Sequence, residues 1–238
     1  FDIFRNDLKI KFRAIGSKRS LEKLYLHIEE QDIQNILIAM DKDYSYIDSD
    51  KVIATYGYGW ENDICFIDNV KNYLLRTSSL GRESDAFQHI LEIFTNKIDL
   101  FKNDIVKIIR IDMLFADKPI AIFDKDVKKH FKYIDNDSAQ IKLSDIKTRY
   151  INKIKDLNEK FSFEKIELLD IDALKDCYCH FIYDFMFTLI NYINKSIEEI
   201  AMDCNYNSIK THLVSRLEYT ISLDENLNQH YISEMNKL

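Results

Sequence analysis

The pattern of apolar and polar positions along the chain predicts an α/β start followed by a helical remainder. "KIKFRA", from Lys9 to Ala14, alternates as a strand does, and "IGSKRS" turns. "SLEKLYLHIEE" then sets Leu21, Leu24, Leu26 and Ile28 near one helical face. "NILIAMD" is a short continuous apolar run of the kind found in a strand covered on both faces, and "KVIATY", from Lys51 to Tyr56, reads as another strand. Gly57 and Gly59 interrupt the pattern before "WENDICFIDNVKNYLL", where Asn62 or Asp63 is placed to cap a helix carrying Ile64, Ile67, Val70 and Leu74. Residues 9 to 76 therefore predict the order β-α-β-β-α, with at least part of the sheet parallel.

Beyond Gly81 the period changes. "SDAFQHILEIFTNKIDLFKNDIVKIIRIDMLF" predicts one or two helices, with extended pieces around "PIAIFD" and "HFKYID", and residues 144 to 238 read as a helical layer. The expected organisation is an α/β core over 1–80 and a mostly helical region over 81–238, with a short extended segment near 119–135.

Composition sharpens this reading. One Pro and four Gly in 238 residues leave few breaks for long helices and argue against an all-β barrel or sandwich. A net charge of −7 gives no general attraction to nucleic acid or anionic lipid, so contact with a polyanion requires a local basic patch or a bound cation. The four cysteines form no CxxC pair, and a chain of this size needs no disulfide staples, so they read as reduced thiols in a cytoplasmic protein. The most apolar stretch, His180 to Ile193, is short of the roughly 20 residues a membrane span needs, and it contains Asp184.

Candidate chemistry begins at "LIAMDKD". Side chains at i and i+2 leave a strand on the same side, so Asp41 and Asp43 can aim at one point beyond the strand's carboxyl end, where open α/β sheets hold their ligands. Hard carboxylate oxygens there suit Mg²⁺ or Mn²⁺ and point to phosphoryl or phosphodiester transfer. Asp-Lys-Asp is also ordinary turn vocabulary. A second such run, "AIFDKD", leads into a basic segment and reads as a turn. Glu61 follows the third predicted strand and its glycine loop, within reach of a neighbouring strand end. Ser17 and Lys18 at a helix start, and Lys128 and Lys129 within "KDVKKHFK", are candidate phosphate contacts, with helix capping and a solvated charged face as their plain alternatives. "CYCH" at 177–180 suggests zinc weakly, because helical neighbours at i and i+2 diverge and no second ligand pair exists.

Taken in order, the turn of "FRAIGSKRSLEKLY", the strand of "LIAMDKDYS" and the motif "TYGYGWENDI" resemble the Toprim domain of AriB-type nucleases from PARIS anti-phage systems. "CYCHFIYDFMFTLINYI" resembles that family's helical C-terminal region. The resemblance implies a Toprim-like Rossmannoid core and metal-dependent cleavage of nucleic acid, either RNA such as tRNA or DNA. It also implies control by a partner ABC-type ATPase and a possible homodimer when active. It makes Asp41 and Asp43 the ligands of Mg²⁺ or Mn²⁺ and Glu61 a catalytic acid. The family's glutamate after its first strand has no counterpart here, and since the chain opens on Phe1 rather than Met, that glutamate is expected in sequence before Phe1. Two alternatives stand beside this reading: a catalytically silent Toprim subunit that docks an ATPase, and a phosphatase of the haloacid-dehalogenase type. The latter expects Gly-Thr after its Asp-x-Asp motif, where this chain has Tyr44-Ser45.

Overall fold

Ser17 begins the first helix by accepting a hydrogen bond from the Ser20 amide at 3.3 Å, which answers one of the donors a helix start leaves open. In the computed structural model, which describes residues 9, 11–116, 123, 126–155, 170–197, 200, 202 and 204–237, this helix is α1, Lys18–Glu30. It packs Ile28, Leu21, Leu24 and Tyr25 against a small apolar cluster, while Leu26 points outward at 56% exposure. The fold is mixed α/β and mostly helical, with a two-stranded parallel sheet.

That sheet pairs β1, Ile38–Met40, with β2, Val52–Ala54, in the register Ile38 to Val52 and Met40 to Ala54. The predicted strand around Lys9–Ala14 is absent from the described residues, where Lys11–Ala14 is neither strand nor helix. Nor is β1 covered on both faces. Ala39 opens into a groove of about 650 Å³ between the sheet and the C-terminal helices.

The predicted helix after Gly59 divides into α2, Trp60–Ile64, and α3, Ile67–Thr77. The Asn69 side-chain amide donates to the Ile64 carbonyl at 2.8 Å, so a side chain takes an acceptor that a continuing helix would have used itself. The cap of α2 is Gly59, whose amide donates to Asn62 Oδ1 at 3.0 Å.

A 30-residue helix, α4, runs Asp85–Leu114 behind Ser84, whose hydroxyl oxygen accepts from the Phe87 amide at 3.2 Å. "HFKYID" is not extended throughout: a 3₁₀ turn over Val127–Tyr133 leads into β3, Ile134–Asp135, paired antiparallel with β4, Gln140–Ile141. Of "PIAIFD", only Phe123 lies within the described residues, and it is buried. The remaining helices are α5 (Leu143–Lys155), α6 (Cys179–Ser196), α7 (Tyr206–Ser215), α8 (Leu217–Leu223) and α9 (Glu225–Met235).

The main core forms where α6, buried on nearly every side, meets α4. Phe101 and Phe185 stack there with ring centroids 4.1 Å apart. At its centre the carboxylate of Asp184 holds His130 Nδ1 at 2.8 Å on one oxygen and the Tyr206 hydroxyl at 2.8 Å on the other. Among the described residues no helix is long and apolar enough to cross a membrane.

The outer edge of β2 is closed by side chains of the C-terminal segment. Glu234 Oε2 accepts from the Ala54 amide at 2.8 Å, His230 Nε2 donates to the Ala54 carbonyl at 2.9 Å, and Lys237 Nζ donates to the Val52 carbonyl at 2.8 Å. Strand edges left open invite pairing with other chains; here the edge is occupied.

His212 on α7 packs edge-on against Tyr73 of α3, with Nε2 buried and unbonded. Burial first, then the nearby Arg216 and Arg76, hold its imidazole below the ordinary histidine value. The folded chain therefore binds fewer protons at this group than the unfolded chain, whose histidine titrates near about 6.5. Its contribution to stability is complete above that value and is lost as pH falls. Replacing His212 with phenylalanine is expected to reduce the drop in melting temperature between about pH 7.5 and about pH 5.5. Superimposable melting curves for the two proteins across that range would refute this role.

Candidate functional site

The carboxyl ends of β1 and β2 are joined by a lattice of local hydrogen bonds. The Lys42 amide donates to the Thr55 hydroxyl oxygen at 2.9 Å, that hydroxyl donates to the Gly57 carbonyl at 2.9 Å, and the Asp43 amide donates to the Tyr58 carbonyl at 2.7 Å. Because β1 ends at Met40 and Asp43 adopts a left-handed φ of 33°, the two aspartates do not leave one strand side by side. Asp43 closes a turn onto the Ser45 amide at 2.8 Å, and Lys18 Nζ lies 2.7 Å from each of its carboxylate oxygens. Asp41 turns instead toward α2, with Oδ1 accepting from the Trp60 amide at 3.2 Å.

Glu61, on the first turn of α2, is the focus of the site. Its side chain is 2% exposed; His180 Nδ1 lies 3.1 Å and Lys210 Nζ 3.3 Å from Oε1, while Oε2 is buried without a hydrogen-bond partner. Lys210 also stands over the Trp60 ring at 4.3 Å from its centroid, which holds the ammonium above the carboxylate. Cys179 and His180, the first two residues of α6, reach Glu61 because the loop before them is bolted to α2. The Asn62 side-chain amide donates to the carbonyls of Leu174 at 2.7 Å and Cys177 at 2.9 Å, and the Tyr58 amide donates to the Lys175 carbonyl at 2.7 Å.

Gly59 permits this convergence by its size. A Cβ there would lie 2.8 Å from Cys179 Cβ, 2.9 Å from its Sγ and 3.4 Å from Asp41 Cγ. Gly59→Ala is expected to push the start of α6 away from α2 and cost about 1–3 kcal/mol, the usual range for overpacking. Urea denaturation provides the measurement, and an unchanged midpoint would mean that the contact is not tight.

Electrostatics set the carboxylates apart. Burial, then the charges of Glu61 and Asp43, raise the Asp41 carboxyl above its ordinary value against the lowering pull of the Trp60 amide and His180. Burial alone would raise Glu61 too, but the His180 hydrogen bond and charge together with Lys210 outweigh it, and Glu61 is held low. The same contact with Glu61 raises His180 despite its partial burial. Burial, followed by the Glu61 and Asp41 carboxylates, drives the Cys179 thiol well above its ordinary value.

Of the residues the sequence singled out, Asp41 and Glu61 lie at the same end of the sheet, with Asp41 bonded to the amide just before Glu61, while Asp43 is held in its ion pair with Lys18. Ser17 serves as a helix cap. Lys128 and Lys129 lie on the separate 3₁₀ turn, where Lys129 faces Asp126 at 3.8 Å. Cys177, half of the weak zinc motif, is buried elsewhere, while its neighbours Cys179 and His180 join Glu61. Lys210 had no sequence signal. Neither a protein-family model, nor a curated protein, nor a solved structure matches the chain.

Proposed function

We propose that this chain is a divalent-cation-dependent endonuclease effector of the Toprim type, cleaving RNA such as tRNA or DNA in anti-phage defence under the control of a partner ABC-type ATPase. The observation that carries the reading is that Asp41, just past β1, accepts from the amide of Trp60, the residue before Glu61, beyond the carboxyl ends of two adjacent parallel strands, the position where open α/β sheets take their ligands.

The residues fit a cation. Glu61 Oε2 is a buried carboxylate oxygen with no partner, an arrangement that costs free energy unless something positive answers it. On this reading Asp41 and Glu61 would draw together on Mg²⁺ or Mn²⁺, Asp43 joining only by giving up Lys18, and when bound the ion would supply charge neutralisation at a phosphodiester and a more acidic water. The chain's own groups have separate tasks. Trp60's amide orients Asp41, and Lys210 offers a fixed positive charge where a phosphate would approach. His180, whose Nδ1 faces Glu61, would serve as a donor to a leaving oxygen through its other ring nitrogen, a role that contributes about 10²–10⁴-fold where it operates.

One observation favours a second reading, a silent subunit that docks an ATPase: Asp43 is fully engaged by Lys18 and Glu61 Oε1 by two cationic groups, as in a purely structural network. The two are separated by expressing the complete gene product with any ATPase encoded beside it and scoring cleavage of labelled tRNA and duplex DNA with Mg²⁺ or Mn²⁺. Cleavage abolished by EDTA supports the effector. Absence of cleavage of both substrates under these conditions, with the ATPase still co-purifying, supports the docking subunit.

A further inference from the structure

We propose that Glu61, Cys179 and His180 form a binding site for a transition-metal dication, and for Zn²⁺ in particular. The three residues each offer a ligand atom, one oxygen, one sulfur and one nitrogen, and these atoms lie within 4.8 Å of one another. Around tetrahedral zinc, oxygen, nitrogen and sulfur ligand atoms stand about 3.3–3.6 Å apart, so the set tightens as an ion binds. A mixed oxygen, nitrogen and sulfur set suits a borderline ion; Mg²⁺ and Ca²⁺ gain little from a thiolate or an imidazole.

A second, independent observation points to the same place. Glu61 Oε2 is buried and unpartnered, although the other oxygen of that carboxylate carries both His180 and Lys210. Lys210 can keep its place on Oε1 while Oε2 serves an ion. His180 gives up the Nδ1 proton it shares with Glu61 to solvent and exchanges that hydrogen bond for a metal bond, and the Cys179 thiol likewise releases its proton to solvent as the thiolate binds.

Preorganisation strengthens the case. Cys179 and His180 are consecutive on the first turn of α6, and Asn62, the neighbour of Glu61, fixes the loop that delivers them. Asp41 approaches Cys179 across Gly59, leaving a carboxylate or a water to complete the shell, the open position that reactive zinc sites retain. Zn²⁺ here takes the Glu61 oxygen and the His180 ring that the endonuclease reading gives to Mg²⁺ and to a proton donor, so a bound Zn²⁺ excludes those two roles while it is in place; its coordination requires no substrate.

The test uses the full chain, stripped with EDTA and desalted, and titrated with Co²⁺ as a spectroscopic probe. The expected result is a thiolate-to-cobalt charge-transfer band together with visible bands of a tetrahedral ion, both displaced by one equivalent of Zn²⁺. Cys179→Ser is expected to remove the charge-transfer band and weaken Zn²⁺ binding by about 10- to 100-fold or more, the lower range being what loss of a supporting partner alone costs. Cys204→Ser, at the half-buried thiol, is expected to leave both unchanged.

No thiolate band in the unmodified chain overturns the proposal, and so does a band that survives in Cys179→Ser. Should Cys179→Ser fail to fold, His180→Gln at a side chain 40% exposed takes its place: visible bands of unaltered form in that variant also overturn the proposal. Since the readout is absorption, failure to cleave nucleic acid leaves the zinc result intact, and absence of zinc leaves Mg²⁺-dependent cleavage open to its own test.

Discussion

Asp41→Asn is expected to lower Mg²⁺- or Mn²⁺-dependent cleavage by at least about 100-fold, since loss of a group that merely supports a metal ligand costs about 10–100-fold. Asparagine has nearly the same shape and can keep its side-chain oxygen on the Trp60 amide, so the turn after β1 is preserved. What disappears is the negative charge and one oxygen able to face a cation. Asp41 as a residue lies at an exposed rim even though its neighbours partly shield the carboxylate from water, so the substitution should move unfolding stability by no more than about 0.5 kcal/mol. Initial rates measured beside a urea denaturation curve distinguish the two effects. Equal rates for the two proteins would remove Asp41 from the chemistry, and parallel losses of rate and stability would make it a structural residue.

His130→Ala is expected to destabilise the chain by about 1–3 kcal/mol, the range seen when a buried acceptor loses its hydrogen-bond partner, with cavity formation adding to it. His130 and Asp184 are both fully buried and 2.8 Å apart, and the Tyr206 hydroxyl occupies only the other oxygen of Asp184. Alanine would leave Asp184 Oδ2 facing apolar surroundings that include Phe181 and Phe123. The loss should be partly recovered by pairing His130→Ala with Asp184→Leu, because removing both polar partners is less costly than orphaning one. Chemical denaturation of the two single variants and the double variant measures the coupling. A loss below about 1 kcal/mol for His130→Ala, the range of an exposed pair, would show that water reaches the site.

The elements most legible in the sequence were those whose periodicity and caps act locally. α1 and α4 begin where Ser17 and Ser84 stand before apolar periodic runs, and β1 and β2 lie inside the two apolar stretches that marked them. Periodicity misled where a distant side chain intervened. Ile64, Ile67, Val70 and Leu74 share a helical spacing, yet Asn69 takes the Ile64 carbonyl and the run becomes two helices. "HFKYID" lacked a helical pattern, but His130 is held by Asp184, 54 residues along the chain, and the segment coils around that bond.

The site divides in the same way. Asp41 and Glu61 could be read because strand ends and a glycine loop place them locally. Cys179, His180 and Lys210 could not, since Lys210 meets Glu61 across 149 residues and no spacing rule spans that distance. The "CYCH" motif did carry a metal signal, but the pair that converges with Glu61 is Cys179 and His180, not the two cysteines. Asp43 illustrates the reverse error: the i and i+2 argument presumes an extended backbone, and the left-handed turn at Asp43 removes that premise.

The closure of β2 by Glu234, His230 and Lys237 links positions 180, 176 and 185 residues apart. During translation at about 5–20 residues per second, roughly 10–40 s separate synthesis of the strand from synthesis of the residues that close its edge. Over that interval the nascent chain carries an unfinished parallel pair, and contacts of such long range form late. The edge of β2 is thus closed only once translation has passed Lys237, so a stalled or prematurely terminated product would carry that edge open.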